Sequence, residues 1–434
     1  MSKIKNFLAA LFFSLIFFNL VFTRGFVGLQ IFGYRIGEYI VLLGFLLLAA
    51  LTLYFLKTDS KKESRIISVI LFYFIFQLIF TSTNLLNTYS YKAGSFIGMI
   101  SFYYIGLYFP HKNKNIQKLW LLLPVLIPIS YFFGASIYPK FLINFFINNS
   151  DKFEFIKASD VLMVLLVVIF YFNTFHREKS IHISLFVVIP IFLPILLYLS
   201  RGGFVALFLF LTMEIIYFRR DLTKYILKSS IYAVFGVVMF VVSTLNIYGN
   251  LTFEKSNPLI NAELERTGAE VLQDNLEDLL DRRNYRGFIF SLYFDEGILK
   301  STDGTLNWRL DIWQDLLIDM RNENKLIFGY GYSNILPVMT DLSEPGRLGA
   351  DGMNENIHNY FFNVYARGGI PLLIMILSLH YYFIKEWKNK NSDYRLAIFM
   401  IPLLLASFFD VTMEGVQFPL NYYFFIGSFL SLKD

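Results

Sequence analysis

Polar and apolar positions alternate along this chain in long blocks rather than at single-residue spacing. Twelve apolar runs lie near 6–23, 38–56, 66–87, 94–110, 116–136, 160–175, 181–199, 202–218, 228–248, 359–384, 394–410 and 417–431. A helix needs roughly 20 residues to cross a hydrocarbon core about 30 Å thick, so each run predicts a membrane span. Short polar segments separate the runs, with one exception: residues 249–357 form a long polar stretch between the ninth and tenth. Within it, AELERTGAEVLQDNLEDLLDRR carries Leu264, Val271, Leu272, Leu276, Leu279 and Leu280 at helical spacing. NWRLDIWQDLLIDMR repeats the pattern with Trp308, Ile312, Trp313, Leu316, Leu317 and Met320,. IFGYGYSN then reads as a glycine-punctuated turn. The expected architecture is an all-α polytopic membrane protein of about twelve transmembrane helices with one large, mostly helical loop. It divides into spans one to nine (1–248), a cap loop (249–357) and spans ten to twelve (358–434).

Composition agrees with the pattern. The 434 residues are 56% hydrophobic and 16% charged, with 50 Phe and 28 Tyr, whereas globular proteins carry about 25% charged residues. The absence of cysteine excludes structural disulfides, thiolate metal sites and a cysteine nucleophile,. The first apolar run follows a short basic head and has no small-residue cleavage site, so it is expected to be a retained span rather than a signal peptide.

Charge orients the spans. With the N-terminus placed inside, the inner segments hold 20 Lys and Arg residues and the short outer segments hold 7. That is the positive-inside bias, and it predicts both termini to be cytoplasmic. The 249–357 loop then lies outside, with 19 acidic and 10 basic residues.

Orientation makes the histidines informative. His111, His176, His182 and His380 fall at or near the cytoplasmic side, and His358 is the one placed outside. A His-Asn pair at a helix start either caps the helix through its side chains or presents an imidazole to an acceptor hydroxyl as a general base. Arg201 opens the eighth run within SRGGFVAL, where a guanidinium, exposed N–H groups and a helix N-terminus converge into an anion site; the alternative is a snorkelling interfacial arginine. Arg309 begins the second loop helix, either as an anion ligand or as an ordinary surface charge. Arg367 lies two turns inside the tenth run, where a charge needs a partner or a cavity. No HExxH, DxD, P-loop or dinucleotide fingerprint is present, so neither a metal nor a cofactor is expected. Nucleic acid is not an expected partner.

Four segments in order, SRGGFVAL, WRLDIW, FGYGYSN and HNYFFNVYARGGIPLLI, together with one large loop among twelve spans, resemble the bacterial O-antigen polymerase and O-antigen ligase superfamily of membrane glycosyltransferases. The motifs occupy 199–377, and the architecture covers nearly the whole chain. The resemblance implies an inner-membrane enzyme that transfers glycan from an undecaprenyl-pyrophosphate-linked oligosaccharide on the periplasmic face, without a metal. It implies that Arg201 and Arg309 hold the pyrophosphate and that His358 activates or positions the acceptor hydroxyl, with Asn359 and Arg367 as weaker transfers. Besides the lipid bilayer, a polysaccharide chain-length regulator is an implied partner. A polymerase and a ligase differ only in acceptor. The cap loop and the Phe/Tyr-rich character favour a polymerase by analogy. A lipid-linked oligosaccharide flippase is the rival from another class, and the absence of an internal repeat stands against it.

Overall fold

The computed structural model describes residues 2–58, 62–81, 83, 88–108, 120–175, 181–247, 273, 292–340, 347 and 355–431. The expected loop helix over 262–283 therefore lies outside the described residues, Gln273 excepted, as do His111 and His176. The chain forms two compact units. One comprises Met1–Gly37, Phe109–Leu279 and Arg395–Ala406; the other comprises Glu38–Tyr108, Leu280–Tyr394 and Ser407–Asp434.

The protein is an all-α, multi-spanning membrane protein. Among the described residues, seven helices are long and apolar enough to cross a membrane: Ala10–Val27, Ile36–Lys57, Glu63–Phe80, Ile181–Leu199, Arg201–Lys224, Ile226–Asn246 and Tyr360–Asn391. Leu122–Gly134, Ala158–Thr174 and Arg395–Phe409 are apolar but shorter. The remaining two runs are helical in another way. Residues 94–110 contain parts of two short helices, α4 (Thr88–Met99) and α5 (Ser101–Tyr108). The last run is α16 (Gln417–Ser431), and all its residues are buried. Helix α16 lies directly on α5: a Cβ at Gly106 would sit 2.0 Å from the Phe424 carbonyl oxygen, and one at Gly427 would sit 2.0 Å from that of Tyr103. Small residues at such crossings let two backbones approach.

In the first unit, α1 (Ser2–Val27) leads into a hairpin of β1 (Gln30–Ile31) and β2 (Tyr34–Arg35), turned at Phe32 and Gly33 with φ of 53° and 81°. Helices α6 (Leu126–Gly134), α7 (Lys140–Asn149) and α8 (Ala158–Phe175) follow. Next comes a helical run with a π turn at Ser184–Val188 that continues as α9 (Ile189–Leu199). Pro190 has no N–H for the carbonyl of Phe186, four residues back. Gly236 of α11 (Ile226–Asn246) packs against that oxygen, where a Cβ would stand at 1.9 Å, and Ser243 donates to the Ile191 carbonyl at 2.7 Å. Helix α10 (Arg201–Lys224) meets α8 at Gly203, whose added Cβ would lie 2.6 Å from that of Ala158.

The second unit is organised by a broken helix. Helix α14 (Tyr360–Asn391) leaves helical geometry at Gly369 (φ 68°, ψ −166°), two residues before Pro371. The break releases the carbonyls of Ala366, Arg367 and Gly368, and an orphaned buried carbonyl must find another donor. The FGYGYSN turn supplies two: Tyr330 N–H donates to Ala366 at 2.7 Å, and Gly331 N–H to Arg367 at 2.9 Å. The Tyr73 hydroxyl of α3 (Lys62–Phe80) donates to Gly368 at 2.7 Å, and Gln77 of the same helix donates to the Phe328 carbonyl at 2.7 Å. Backbones this close leave no room for side chains. A Cβ on Gly329 would stand 2.7 Å from the Ala366 oxygen, and one on Gly369 would stand 1.8 Å from that of Ile327.

The described part of the long loop contains the expected helix, α12 (Gly304–Asn322), whose buried face is Leu306, Leu310, Ile312, Trp313, Leu316 and Met320. Trp308 is partly buried against this core, and Leu317 turns outward at 38% exposure. The pattern did not show a hairpin of β3 (Leu292–Asp295) and β4 (Ile298–Ser301) turned at Glu296-Gly297, both with positive φ. Gln314 clamps it to α12 through paired 2.8 Å bonds to the backbone of Leu299. A short helix, α13 (Pro337–Thr340), precedes α14, and α15 (Arg395–Phe409) follows it.

The interlock yields a paired test. Gly33 and Gly369 both have positive φ, but an added Cβ at Gly33 meets nothing within 4 Å. Gly33→Ala should lose only the left-handed backbone cost of about 1–2 kcal/mol. Gly369→Ala should lose at least twice that, because the Ile327 carbonyl must also move. Thermal unfolding of the two detergent-purified variants decides; equal shifts would mean that the break tolerates a side chain.

Candidate active site

The sequence placed His358, Asn359, Arg309, Arg201 and Arg367 at the chemistry. Arg201 belongs to the first unit. It is the first residue of α10, partly exposed, and Ser200 caps that helix by accepting from Gly203 N–H at 3.3 Å. The other four belong to the second unit.

Asn359 is the N-cap of α14. Its Oδ1 accepts from Phe361 N–H at 3.0 Å and Phe362 N–H at 3.1 Å, and its side chain is fully buried. The cap satisfies two of the orphaned donors at a helix start. His358 immediately precedes it at φ 52°, a left-handed conformation that a non-glycine residue adopts only when its surroundings require it,. The imidazole stands edge-on to the Trp308 indole, with ring centroids 4.9 Å apart. Through Trp308, therefore, His358 meets α12 next to Arg309.

Arg309 is partly buried, and its Nε–H has no acceptor among the described residues. Burial pushes the guanidinium down from its usual range, while the charges of Asp410 and then Asp303 push it back up. Asp410 lies in the loop between α15 and α16, where its Oδ1 accepts from Val411 N–H at 2.8 Å. Packing accounts for its proximity. Trp313 is one helical turn beyond Arg309, so both lie on one face of α12, and Phe408, two residues before Asp410, packs edge-on to Trp313 at 5.1 Å. Asp303 also caps α12 by accepting from Leu306 N–H at 2.7 Å.

Arg367 has a different environment. It is 3% exposed, and its Nη1 donates to the carbonyls of Gly331 at 3.2 Å and Asn334 at 2.6 Å. Its Nη2 donates to the Tyr89 hydroxyl, and the guanidinium lies 5.3 Å from the Tyr89 ring centroid. These bonds tie α4, the FGYGYSN turn and α14 together at a point nine residues beyond His358. On the same side, Lys92 of α4 pairs with Glu355, three residues before the histidine.

One residue of the site carried no chemical signal in the sequence, and a second, an outer carboxylate that the sequence offers as a reserve base, is brought in by the fold. Trp313 reads as one more apolar position of an amphipathic helix, yet its indole N–H donates to the Ile357 carbonyl at 2.8 Å. Asp410 sits in a separate short loop, and only tertiary packing sets it beside Arg309.

The arrangement thus joins a guanidinium whose Nε–H has no acceptor among the described residues, an imidazole and a carboxylate around one end of α12. No curated protein matches the chain. Residues 185–377, an interval that contains Arg201, Arg309, His358, Asn359 and Arg367, match the family model described as O-Antigen ligase. That match assigns residues 185–377 to the O-antigen ligase and polymerase superfamily, whose members are bacterial membrane-associated, glycosyltransferase-like enzymes.

Proposed function

We propose that the protein is a polymerase of O-antigen or a related surface polysaccharide, joining undecaprenyl-pyrophosphate-linked repeat units on the periplasmic face of the inner membrane without a metal. The observation that carries this reading is the meeting of His358 with the Trp308-Arg309 step of α12, where a half-buried arginine keeps an N–H without an acceptor among the described residues. Such an N–H suits an anionic phosphate oxygen, and charge-assisted bonds of this kind are roughly twice as strong as neutral ones.

In the proposed reaction an acceptor hydroxyl attacks the anomeric carbon of the donor glycan. The bond from that carbon to the pyrophosphate oxygen breaks, and undecaprenyl pyrophosphate leaves with the bonding pair. The hydroxyl proton passes to His358 and then to water. Arg309 and Arg201 offset the charge that develops on the leaving pyrophosphate. The acceptor is a second lipid-linked unit. The second reading is a ligase that uses lipid A-core as acceptor, and the description of the matched family favours keeping it. The wider proposal comprises twelve crossings, a periplasmic 249–357 loop, cytoplasmic termini and a chain-length regulator as partner; the 20-to-7 charge bias supports its topology.

The acceptor is decided by glycan profiling of a deletion strain. Lipopolysaccharide capped with a single repeat unit is expected for the polymerase; bare core with accumulated lipid-linked polymer would establish the ligase. Topology is read from reporter fusions near Gly304 and at the C-terminus, which should report opposite sides of the membrane. Matching readings would end the periplasmic assignment.

Site variants test the chemistry. His358→Ala should cut chain growth by about 10²–10⁴-fold, the usual contribution of positioned acid–base catalysis, with protein still in the membrane. Arg201→Ala and Arg309→Ala should each abolish polymer. Lysine at either position should restore only part, since it lacks the planar fork of arginine. Normal polymer from all three alanine variants would leave these side chains as a helix-end residue and two interfacial charges.

A further inference from the structure

His358 holds a left-handed backbone conformation between two fixed neighbours. On its C-terminal side Asn359 is locked by its own cap bonds. On its N-terminal side one bond does the corresponding work, from the indole N–H of Trp313 to the carbonyl of Ile357, at 2.8 Å and fully buried. Trp313 is itself held on two faces. It stacks on Phe362 of α14, with centroids 5.4 Å apart and planes 11° from parallel, and it takes the edge of Phe408 at 5.1 Å. The indole therefore links α12, the residue before the histidine, the first turn of α14 and the segment that ends at Asp410.

We propose that Trp313 is a positioning residue for the reaction, and that its N–H bond to the Ile357 carbonyl holds His358 in its strained conformation against Trp308. The proposal rests on the reading of His358 as the group that faces the acceptor. A left-handed non-glycine residue costs on the order of 1–3 kcal/mol and persists only where the surroundings over-determine it. Removing one of the two anchors lets residue 358 relax toward ordinary φ, and the imidazole then swings away from the indole edge. A displacement of about 1 Å is enough to cost 10²-fold in rate.

The test keeps the ring and removes the donor. In Trp313→Phe, kcat for chain growth should fall on the order of 10²-fold, with KM for the lipid-linked donor close to wild type. The second readout needs no activity: carbethoxylation of His358 by diethyl pyrocarbonate, followed by mass spectrometry, should run several-fold faster. His380, buried in the same unit, serves as the internal control and should stay unmodified. If Trp313→Phe does not accumulate, β-(3-benzothienyl)alanine at 313 replaces only the N–H by sulfur and answers the same question. A carbethoxylation rate equal to wild type overturns the proposal whatever the activity does. Faster modification of both histidines overturns it too, since the substitution has then loosened the whole unit. Faster modification of His358 alone, with full activity retained, supports the positioning by Trp313 and instead removes His358 from the reaction.

Discussion

The second unit depends on three carbonyls that helix α14 cannot satisfy itself. A helix interrupted at Gly369 ahead of Pro371 leaves Ala366, Arg367 and Gly368 without their usual donors. The segment is buried, and an unmet polar group in an apolar surrounding costs several kcal/mol,. The FGYGYSN turn meets this requirement from one side and Tyr73 from another. Three glycines follow from that geometry: Gly329 and Gly331 take positive φ so that Tyr330 and Gly331 present their N–H groups to α14, and Gly369 leaves space for the Ile327 carbonyl. The first unit meets a smaller version of the problem at Pro190, where Gly236 and Ser243 of α11 cover the exposed backbone.

The interlock fixes the last turn before the break, and the site is built on the first turn of the same helical half. Residues 360–368 form a short rod with Asn359 capping one end and the FGYGYSN turn closing the other. His358 projects from the capped end. Arg367 makes the closed end rigid through bonds to two carbonyls and a tyrosine, a use of arginine that offsets the cost of burying its charge,. Two arginines on neighbouring elements thus differ in kind. Both leave their Nε–H without an acceptor among the described residues, but Arg367 spends its terminal nitrogens on two carbonyls and a tyrosine of its own chain, whereas Arg309 faces carboxylates that sustain its charge.

Much of this was legible in the sequence, for reasons that also set the limit. Period and hydropathy located helices at all twelve apolar runs, because burial in lipid or protein demands the same side chains. They did not separate the two environments: α16 is as apolar as a lipid-facing helix yet is wholly enclosed, and Gly106 and Gly427 are the residues that record this. His358, Asn359, Arg309 and Arg367 stood out because charge or hydrogen-bonding capacity in an apolar setting has few innocent explanations. The β3–β4 hairpin left only its Glu-Gly turn as a trace, between the two segments of the loop read as helices.

Trp313 marks the boundary most clearly. In a heptad-like pattern a tryptophan counts as volume, and nothing in the spacing tells whether its N–H is used. The chain solves a directional problem with it. An aliphatic residue at 313 would fill the core between Phe362 and Phe408 but would leave the Ile357 carbonyl unmet and residue 358 free to relax. A buried tryptophan usually finds a partner for its N–H, and here the partner is the backbone one residue before the candidate base. Core packing and site geometry are consequently one constraint on α12. The helix that carries Arg309 also sets the angle at which His358 meets it, so the guanidinium and the imidazole keep their register even though they come from segments 49 positions apart.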